Sequence, residues 1–389
     1  MPQDLIAPVN LVDTGTPFDG TNNPEPGIGL CLSGGGYRAM LFHLGALWRL
    51  NEWGYLRKLT RISSVSGGSI TAGMLGFKWT KLAFNANGMA TAFDAEVIQP
   101  IRALADKTID EGSIFGGVFL PGSISDRIIE SYRKHLFGDA TLQALPSDPP
   151  RFIINATNVQ SGALWRFSRP FMADYRVGLI PNPTIELAVA VAASSAFPPV
   201  LSPLKMELKV SDYAPASGQP SEDLHVGDYM TDVMLTDGGV YDNLGLETVW
   251  KRYQTVLVSD GGGKLAPEEH PKGDWARHAI RVDELIDNQV RSLRKRLLLG
   301  SFSNHDRQGT YWGIRSHIDD YHVADPLPCP PDKTLILANT PTRLKKLDPV
   351  LQNRIINWGY AICDAAMRKW VDPTLAKASE FPYPASGVG

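Results

Sequence analysis

Ile28-Gly29-Leu30-Cys31-Leu32-Ser33-Gly34-Gly35-Gly36-Tyr37-Arg38-Ala39 joins a short apolar run to three consecutive glycines. The chain then stays apolar almost all round up to Glu52, through Met40, Leu41, Phe42, Leu44, Leu47, Trp48 and Leu50. A short apolar run bounded by glycine predicts a buried strand, and the segment after it predicts a helix without a solvent face. The order repeats at once: the run 59–65 leads into Ser66-Gly67-Gly68-Ser69 and a second helix rich in small residues. Two successive strand-to-helix units predict an α/β fold with a parallel sheet covered on its faces, because parallel strands need crossover helices on the faces of the sheet.

Downstream, Arg151-Phe152-Ile153-Ile154-Asn155, Val233-Met234-Leu235-Thr236 and Thr255-Val256-Leu257-Val258-Ser259 read as strands, and 311–315 as an edge strand. Asn182 and Pro183 suit the N-cap and first turn of a helix running through Ser195 and stopped by Phe197-Pro198-Pro199. Further helices are expected over 246–253, 283–299 and 348–370, and a polar loop over 211–228. Residues up to 26 read as an arm, and 77–150 as a helical and loop-like insertion holding the apolar stretch Ile114-Phe115-Gly116-Gly117-Val118-Phe119-Leu120. No repeat or linker divides the chain. The expectation is one domain, 1–389, with its core over about 27–262 and a mostly helical C-terminal extension over about 265–375.

The 389 residues carry 38 Lys+Arg against 41 Asp+Glu, a formal net charge of −3, which leaves no electrostatic footprint for nucleic acid. Cys31, Cys329 and Cys363 lie too far apart in sequence for a CxxC pair, so no disulfide framework or zinc site is expected. The start lacks the basic and apolar pattern of a secretory signal, and no run reaches the length of a transmembrane helix, which leads to the expectation of a cytoplasmic protein.

The chemistry sits where strands meet glycines. Ile62-Ser63-Ser64-Val65-Ser66-Gly67-Gly68 places a serine on a tight strand-to-helix bend, the geometry of a nucleophile elbow, with small neighbours because the backbone is crowded there. Gly34-x-Gly36-x-x-Ala39 formally matches a dinucleotide fingerprint, but the second strand ends in serines where the ribose-binding acid belongs. The better reading makes the Gly34–Gly36 backbone a set of amide donors to an oxyanion beside Ser66. Two aspartates compete as base, Asp237-Gly238-Gly239 and Asp260-Gly261-Gly262, each after a strand. Asp237 is favoured because Val240-Tyr241-Asp242-Asn243 follows as a compact polar turn, whereas Asp260 reads as capping its own strand. An aspartate base must have its pKa raised by burial or its proton transfer aided by tight hydrogen bonding. A Ser–His–Asp triad remains open by order, with His270, His278, His305, His317 and His322 after Asp237, although none sits in a glycine-rich strand-end loop. His43, inside the first helix, reads as a core histidine.

Taken together, Ser33-Gly34-Gly35-Gly36-Tyr37-Arg38, Ser64-Val65-Ser66-Gly67-Gly68 and Asp237-Gly238-Gly239 resemble the motifs of patatin-like phospholipases, in their order and spacing. Ala193-Ser194-Ser195-Ala196-Phe197-Pro198-Pro199 is similar to that family's Ala/Ser-x-Ala-x-Pro segment, and Asn155-Ala156-Thr157-Asn158 to its third-strand exit. The resemblance implies a three-layer α/β/α sandwich with a mostly parallel central sheet, and a lipid acyl hydrolase, a phospholipase A, lysophospholipase or lipid esterase, with a Ser–Asp dyad and no metal or organic cofactor. It makes Ser66 the nucleophile, Asp237 the base, and the amides of Gly34, Gly35, Gly36 and Gly67 the oxyanion hole. The glycine loop is also similar to that of cytosolic phospholipase A2, which by analogy gives Arg38 a head-group phosphate. The competing reading of Arg38 is a helix-start arginine paired with a carboxylate. Ser64 and Ala39 stand where glycine is more usual in the family. The alternatives are a triad esterase of the α/β-hydrolase class and a non-catalytic lipid-binding or regulatory protein.

A lipid or acyl-ester substrate implies transient contact with a membrane surface. Ile114–Leu120 and the basic-and-apolar Arg291-Ser292-Leu293-Arg294-Lys295-Arg296-Leu297-Leu298-Leu299 are the candidates, and for both the favoured reading is packed core and solvated face.

Overall fold

The computed structural model describes residues 24–110, 123–199 and 201–389. β1 (Glu25–Leu32), α1 (Gly36–Glu52), β2 (Arg61–Val65) and α2 (Gly67–Lys78) form the two strand-to-helix units that the glycine-bounded runs predict. The insertion contributes α3 (Gln99–Ala105) and α4 (Ser123–Tyr132), while Ile114–Leu120 lies outside the described residues. The sheet continues through β3 (Arg151–Asn158), β4 (Leu164–Phe167), β5 (Phe171–Asp174) and β6 (Gly178–Pro181). α5 (Leu187–Ser194) precedes β7 (Leu204–Glu207), the short α6 (Asp228–Thr231) and β8 (Asp232–Asp237).

After two single-turn helices, α7 (Gly239–Asp242) and α8 (Glu247–Trp250), come β9 (Tyr253–Asp260), α9 (Trp275–Ser303), β10 (Gln308–Gly313), α10 (Pro331–Ala338) and α11 (Pro349–Trp370). The strand order is β10-β9-β1-β2-β3-β4-β5-β6, with β8 paired to β3 and β7 to β8.

The sheet is mixed rather than mostly parallel. β10, β9, β1, β2 and β3 run parallel, and every pairing beyond β3 is antiparallel. The physical reason is connection length: β4, β5 and β6 follow one another through short turns, which permit only antiparallel neighbours. The expected helix from Asn182 is also corrected. Asn182 takes a left-handed φ of 48° and its N–H bonds Pro170 O at 2.9 Å, closing the β5–β6 hairpin, so α5 starts only at Leu187. The helix over 246–253 shrinks to Glu247–Trp250 because Tyr253 already pairs with β1.

The C-terminal region completes the same layers. β10 extends the parallel edge beside β9, and α11 lies along α1, which accounts for the lack of a polar face on α1. The two helices approach at glycines: a Cβ on Gly45 would lie 2.0 Å from Ile356 O, and one on Gly359 1.9 Å from Phe42 O. α11 begins as its sequence suggests, with the Asp348 carboxylate accepting from Val350 N (2.8 Å) and Leu351 N, and Pro349 in the first turn.

α9 differs from expectation. Of Arg291–Leu299 only Leu298 is buried, so packing holds for Leu298 and a solvated face for Arg296, whereas Leu293, Leu297 and Leu299 also face solvent. No described helix is long and apolar enough to cross a membrane.

Candidate active site

The register of the sheet assembles the site. Leu32 stands opposite Ser64 on β2 and Ser259 on β9, so Ser33-Gly34, Ser66 and Asp260-Gly261 all emerge at one strand-end edge. β2 pairs with β3 only as far as Val65 opposite Asn155, and β4 occupies the other edge of β3. β8 takes over the vacated edge from the opposite direction, with Asp237 opposite Ala156. β2 and β8 therefore meet end to end, and Ser66 and Asp237 are the residues at the junction.

Ser66 has φ 52° and ψ −121°, a conformation that L-residues avoid and that a sharp strand-to-helix bend imposes. Crowding explains its small neighbours: a Cβ on Gly67 would lie 2.2 Å from Gly36 O, and one on Gly68 2.4 Å from Leu32 O. Ser194, at the end of α5, holds the bend. Its carbonyl and hydroxyl oxygens both accept from Ser66 N–H (3.1 and 3.0 Å), and its hydroxyl donates to Asn155 O at 2.6 Å. The Ser194 carbonyl also accepts from Gly238 N–H (3.2 Å), and Ala196 O accepts from Asp237 N–H (2.9 Å), so one helix end fixes both turns. Sequence reasoning quoted Ser194 only within a family-like segment; its bonding role has no local signal.

The glycine loop presents fewer amides than expected. Gly34 N–H donates to Asn243 O at 3.0 Å and is not free for an oxyanion. Among the described residues, the amides of Gly35, Gly36 and Gly67 donate to no protein acceptor. Gly34 serves instead by close approach: a Cβ there would meet Asn243 Oδ1 at 2.3 Å and Ser66 Cβ at 3.1 Å. The amide group of Asn243, which sequence reasoning treated only as part of a turn, is thus wedged beside both Ser66 and Gly239. The C-terminal region seals the loop, since Tyr37 N–H donates to Arg343 O at 3.0 Å and Gly36, at φ 59°, lies against the Arg343 backbone.

Asp237 is buried. Its Oδ1 accepts from Gly239 N–H at 2.7 Å, and its backbone C=O accepts from Thr157 Oγ1 at 2.9 Å. Burial pushes the carboxyl up to about 7; the Gly239 amide and the Ser66 hydroxyl pull it partway back, and the charge of Asp287 on α9 raises it further. Oδ2 is buried without a partner at normal hydrogen-bond geometry, so its contact with the Ser66 hydroxyl is a loose one.

Asp260 is the opposite case. Burial would raise its pKa too, but Lys295 (2.5 Å), Arg291 (3.7 Å) and the Gly262 amide (2.9 Å) outweigh it and hold the carboxyl well below the usual carboxylate range. Tyr311 donates a further bond at 2.8 Å. Arg38 is buried and pairs with no carboxylate: Nε donates to Gly261 O (3.1 Å), one terminal nitrogen to Thr340 O (2.5 Å), and the other has no partner. Burial, then the neighbouring Arg315 and Arg291, lower its pKa to about 10.

His43 is a core residue, bonded to Ser259 Oγ (2.8 Å) and Ser33 O (2.9 Å), and burial lowers its pKa to about 4, leaving it neutral. His270, His278, His305, His317 and His322 are exposed, and none bonds Ser66 or Asp237, which leaves the triad reading without a histidine.

The fold thus brings Ser66 on its strand-to-helix elbow, the buried Asp237 carboxyl and the glycine loop together at one sheet edge. The chain belongs to the patatin-like phospholipase family, whose family model matches residues 30–250. Similar solved structures include human GIVD cytosolic phospholipase A2 in complex with methyl gamma-linolenyl fluorophosphonate (15% identity, TM-score 0.49, covering 87% of this chain and 57% of that one). Another structure of the human enzyme has 16% identity and a TM-score of 0.39, covering 63% and 49% of the two chains. VipD from Legionella pneumophila has 14% identity and a TM-score of 0.33, covering 87% and 66%. The chain thus spans about half the length of the human structures it matches. No curated protein sequence matches it.

Proposed function

We propose that this protein is a serine lipid acyl hydrolase, cleaving carboxylic esters of phospholipids or related lipids through a Ser66–Asp237 dyad. Asp237, deprotonated above its raised pKa of about 7, takes the Ser66 proton as Oγ attacks the ester carbonyl. The tetrahedral oxyanion is met by the Gly35, Gly36 and Gly67 amides, with the N-termini of α1 and α2 adding their dipoles. Collapse breaks the ester bond, Asp237 returns the proton to the leaving alcohol, and water activated by the same carboxylate hydrolyses the acyl-enzyme. Arg38 carries its charge just behind the glycine loop and in this reading attracts the head-group phosphate. The substrate arrives from a lipid phase, through transient contact of the protein with a membrane surface.

The observation that carries this reading is the buried carboxyl at the end of β8, raised into the working range of a base and aimed at a serine on an elbow. Fluorophosphonate labelling followed by peptide mapping tests it without a guessed substrate. A stoichiometric adduct on Ser66 that is lost in Asp237→Asn is expected. A folded protein that takes no label, or takes it on another serine, overturns the assignment.

A further inference from the structure

We propose that the exposed apolar face of α9 seats this protein on a phospholipid surface beside its active site. The inference rests on the hydrolase reading above and names the surface that brings the substrate. α9 runs for 29 residues, about 44 Å of helix, yet only Leu298 and Ser301 are buried. Trp275, Val282, Ile286, Val290, Leu293 and Leu297 are 85%, 38%, 57%, 38%, 57% and 54% exposed. Separated by three, four or seven residues, they fall within an arc of about 80° at 100° per residue, one continuous stripe along the helix. A stripe of this length left to water is costly unless something apolar covers it.

The rest of the helix shows which way the stripe faces and what covers it. Arg291 and Lys295 reach down to Asp260 (3.7 and 2.5 Å), and Arg294 to Glu247 (3.1 Å) and Asp242 (3.8 Å), so ion pairs fasten the opposite side to the sheet edge. Arg291 also donates to Gly263 O at 2.8 Å, just past Asp260, and Asp260 leaves β9 at the strand-end edge from which Ser66 emerges, so the helix lies along the edge that carries Ser66. Arg296 lies exposed on the outer border of the stripe, and among the described residues it meets no carboxylate. A phospholipid phosphate complements it, while Trp275 at the end of the stripe suits the boundary between head groups and acyl chains.

The test is sedimentation of the full chain with vesicles of phosphatidylcholine containing a minor fraction of phosphatidylglycerol, comparing wild type with Ile286→Glu/Leu293→Glu. Both side chains face solvent, so circular dichroism, fluorophosphonate labelling of Ser66 and hydrolysis of a water-soluble ester are expected to stay unchanged. Vesicle binding is expected to fall by about tenfold or more, and hydrolysis of vesicle phospholipid with it. Equal vesicle binding by the two proteins overturns the proposal. So does a wild-type dimer in sedimentation velocity that the double substitution splits, since the stripe is then covered by a second copy. Vesicle binding that the substitution abolishes in a protein whose Ser66 takes no label retains the docking surface and refutes the hydrolase reading alone.

Discussion

Replacing Asp237 with Asn separates stability from activity in a pH-dependent way. The carboxyl titrates near 7 in the folded protein against 3.8 for its reference value, chiefly because burial penalises the charge. At 1.36 kcal/mol per pKa unit, holding it ionised in the native state costs about 4 kcal/mol, an order-of-magnitude figure. The sign follows from proton counting. Between pH 4 and 7 the native state binds a proton that the unfolded chain has released, so wild-type stability falls as pH rises through this window and levels off above 7. Asparagine keeps the oxygen that accepts from Gly239 N–H and carries no charge, so Asp237→Asn matches wild type near pH 4 and exceeds it increasingly up to pH 7 and beyond. Urea unfolding of both proteins from pH 4 to 9 measures the difference directly. The same variant loses ester hydrolysis, and the wild-type kcat/KM rises about tenfold per pH unit below 7 and flattens above it. A stability difference that does not vary with pH, or an asparagine variant less stable at pH 8, refutes the claim that Asp237 is a buried carboxyl kept for catalysis at the cost of stability.

Ser66→Ala abolishes turnover with the fold intact by circular dichroism, and Ser66→Gly is more stable than Ser66→Ala by about 1 kcal/mol in denaturant melts, because glycine accepts φ 52° without strain. Gly34→Ala places a methyl 2.3 Å from Asn243 Oδ1 and 3.1 Å from Ser66 Cβ, so activity toward a soluble ester falls by at least about tenfold, with thermal melting showing whether the fold survives. Asp260→Asn removes the partner of Lys295 and Arg291 and costs about 3 kcal/mol or more in urea unfolding at pH 7. That loss shrinks as pH falls, because a carboxyl with a depressed folded pKa contributes its stability above the unfolded value and surrenders it on acidification.

Local chemistry made the first two strand-to-helix units legible: apolar runs of the right length, glycines where backbones touch, and a serine followed by residues without bulk. The helix start at Pro349 was readable for the same reason, since a cap is a property of a few adjacent residues. Features decided by distant neighbours were not readable. Asn182-Pro183 has the letters of a helix start, but pairing with Pro170 makes it a hairpin end. Gly34 has the letters of an oxyanion donor, but Asn243, 209 positions on, takes its amide. Leu293, Leu297 and Leu299 of α9 face solvent although a packed core and a solvated face were expected there, because apolar letters reveal that a face exists and say nothing of what lies against it.

The two aspartates show where sequence reasoning reached its limit and what the fold adds. Asp237-Gly238-Gly239 and Asp260-Gly261-Gly262 are the same tripeptide at the ends of β8 and β9, and both carboxyls are buried, so burial cannot be what distinguishes them. The difference lies in which charges the chain brings alongside. α9 delivers Lys295 and Arg291 to Asp260 and no cation to Asp237, so burial is offset at the first and left to raise the pKa of the second, with Asp287 adding the least. A carboxyl locked in an ion-pair cluster keeps its charge at any working pH and makes a structural anchor, whereas one denied a cation keeps its affinity for protons. In the proposed mechanism only the second can act as the base, while the anchored first fastens α9 to the sheet edge.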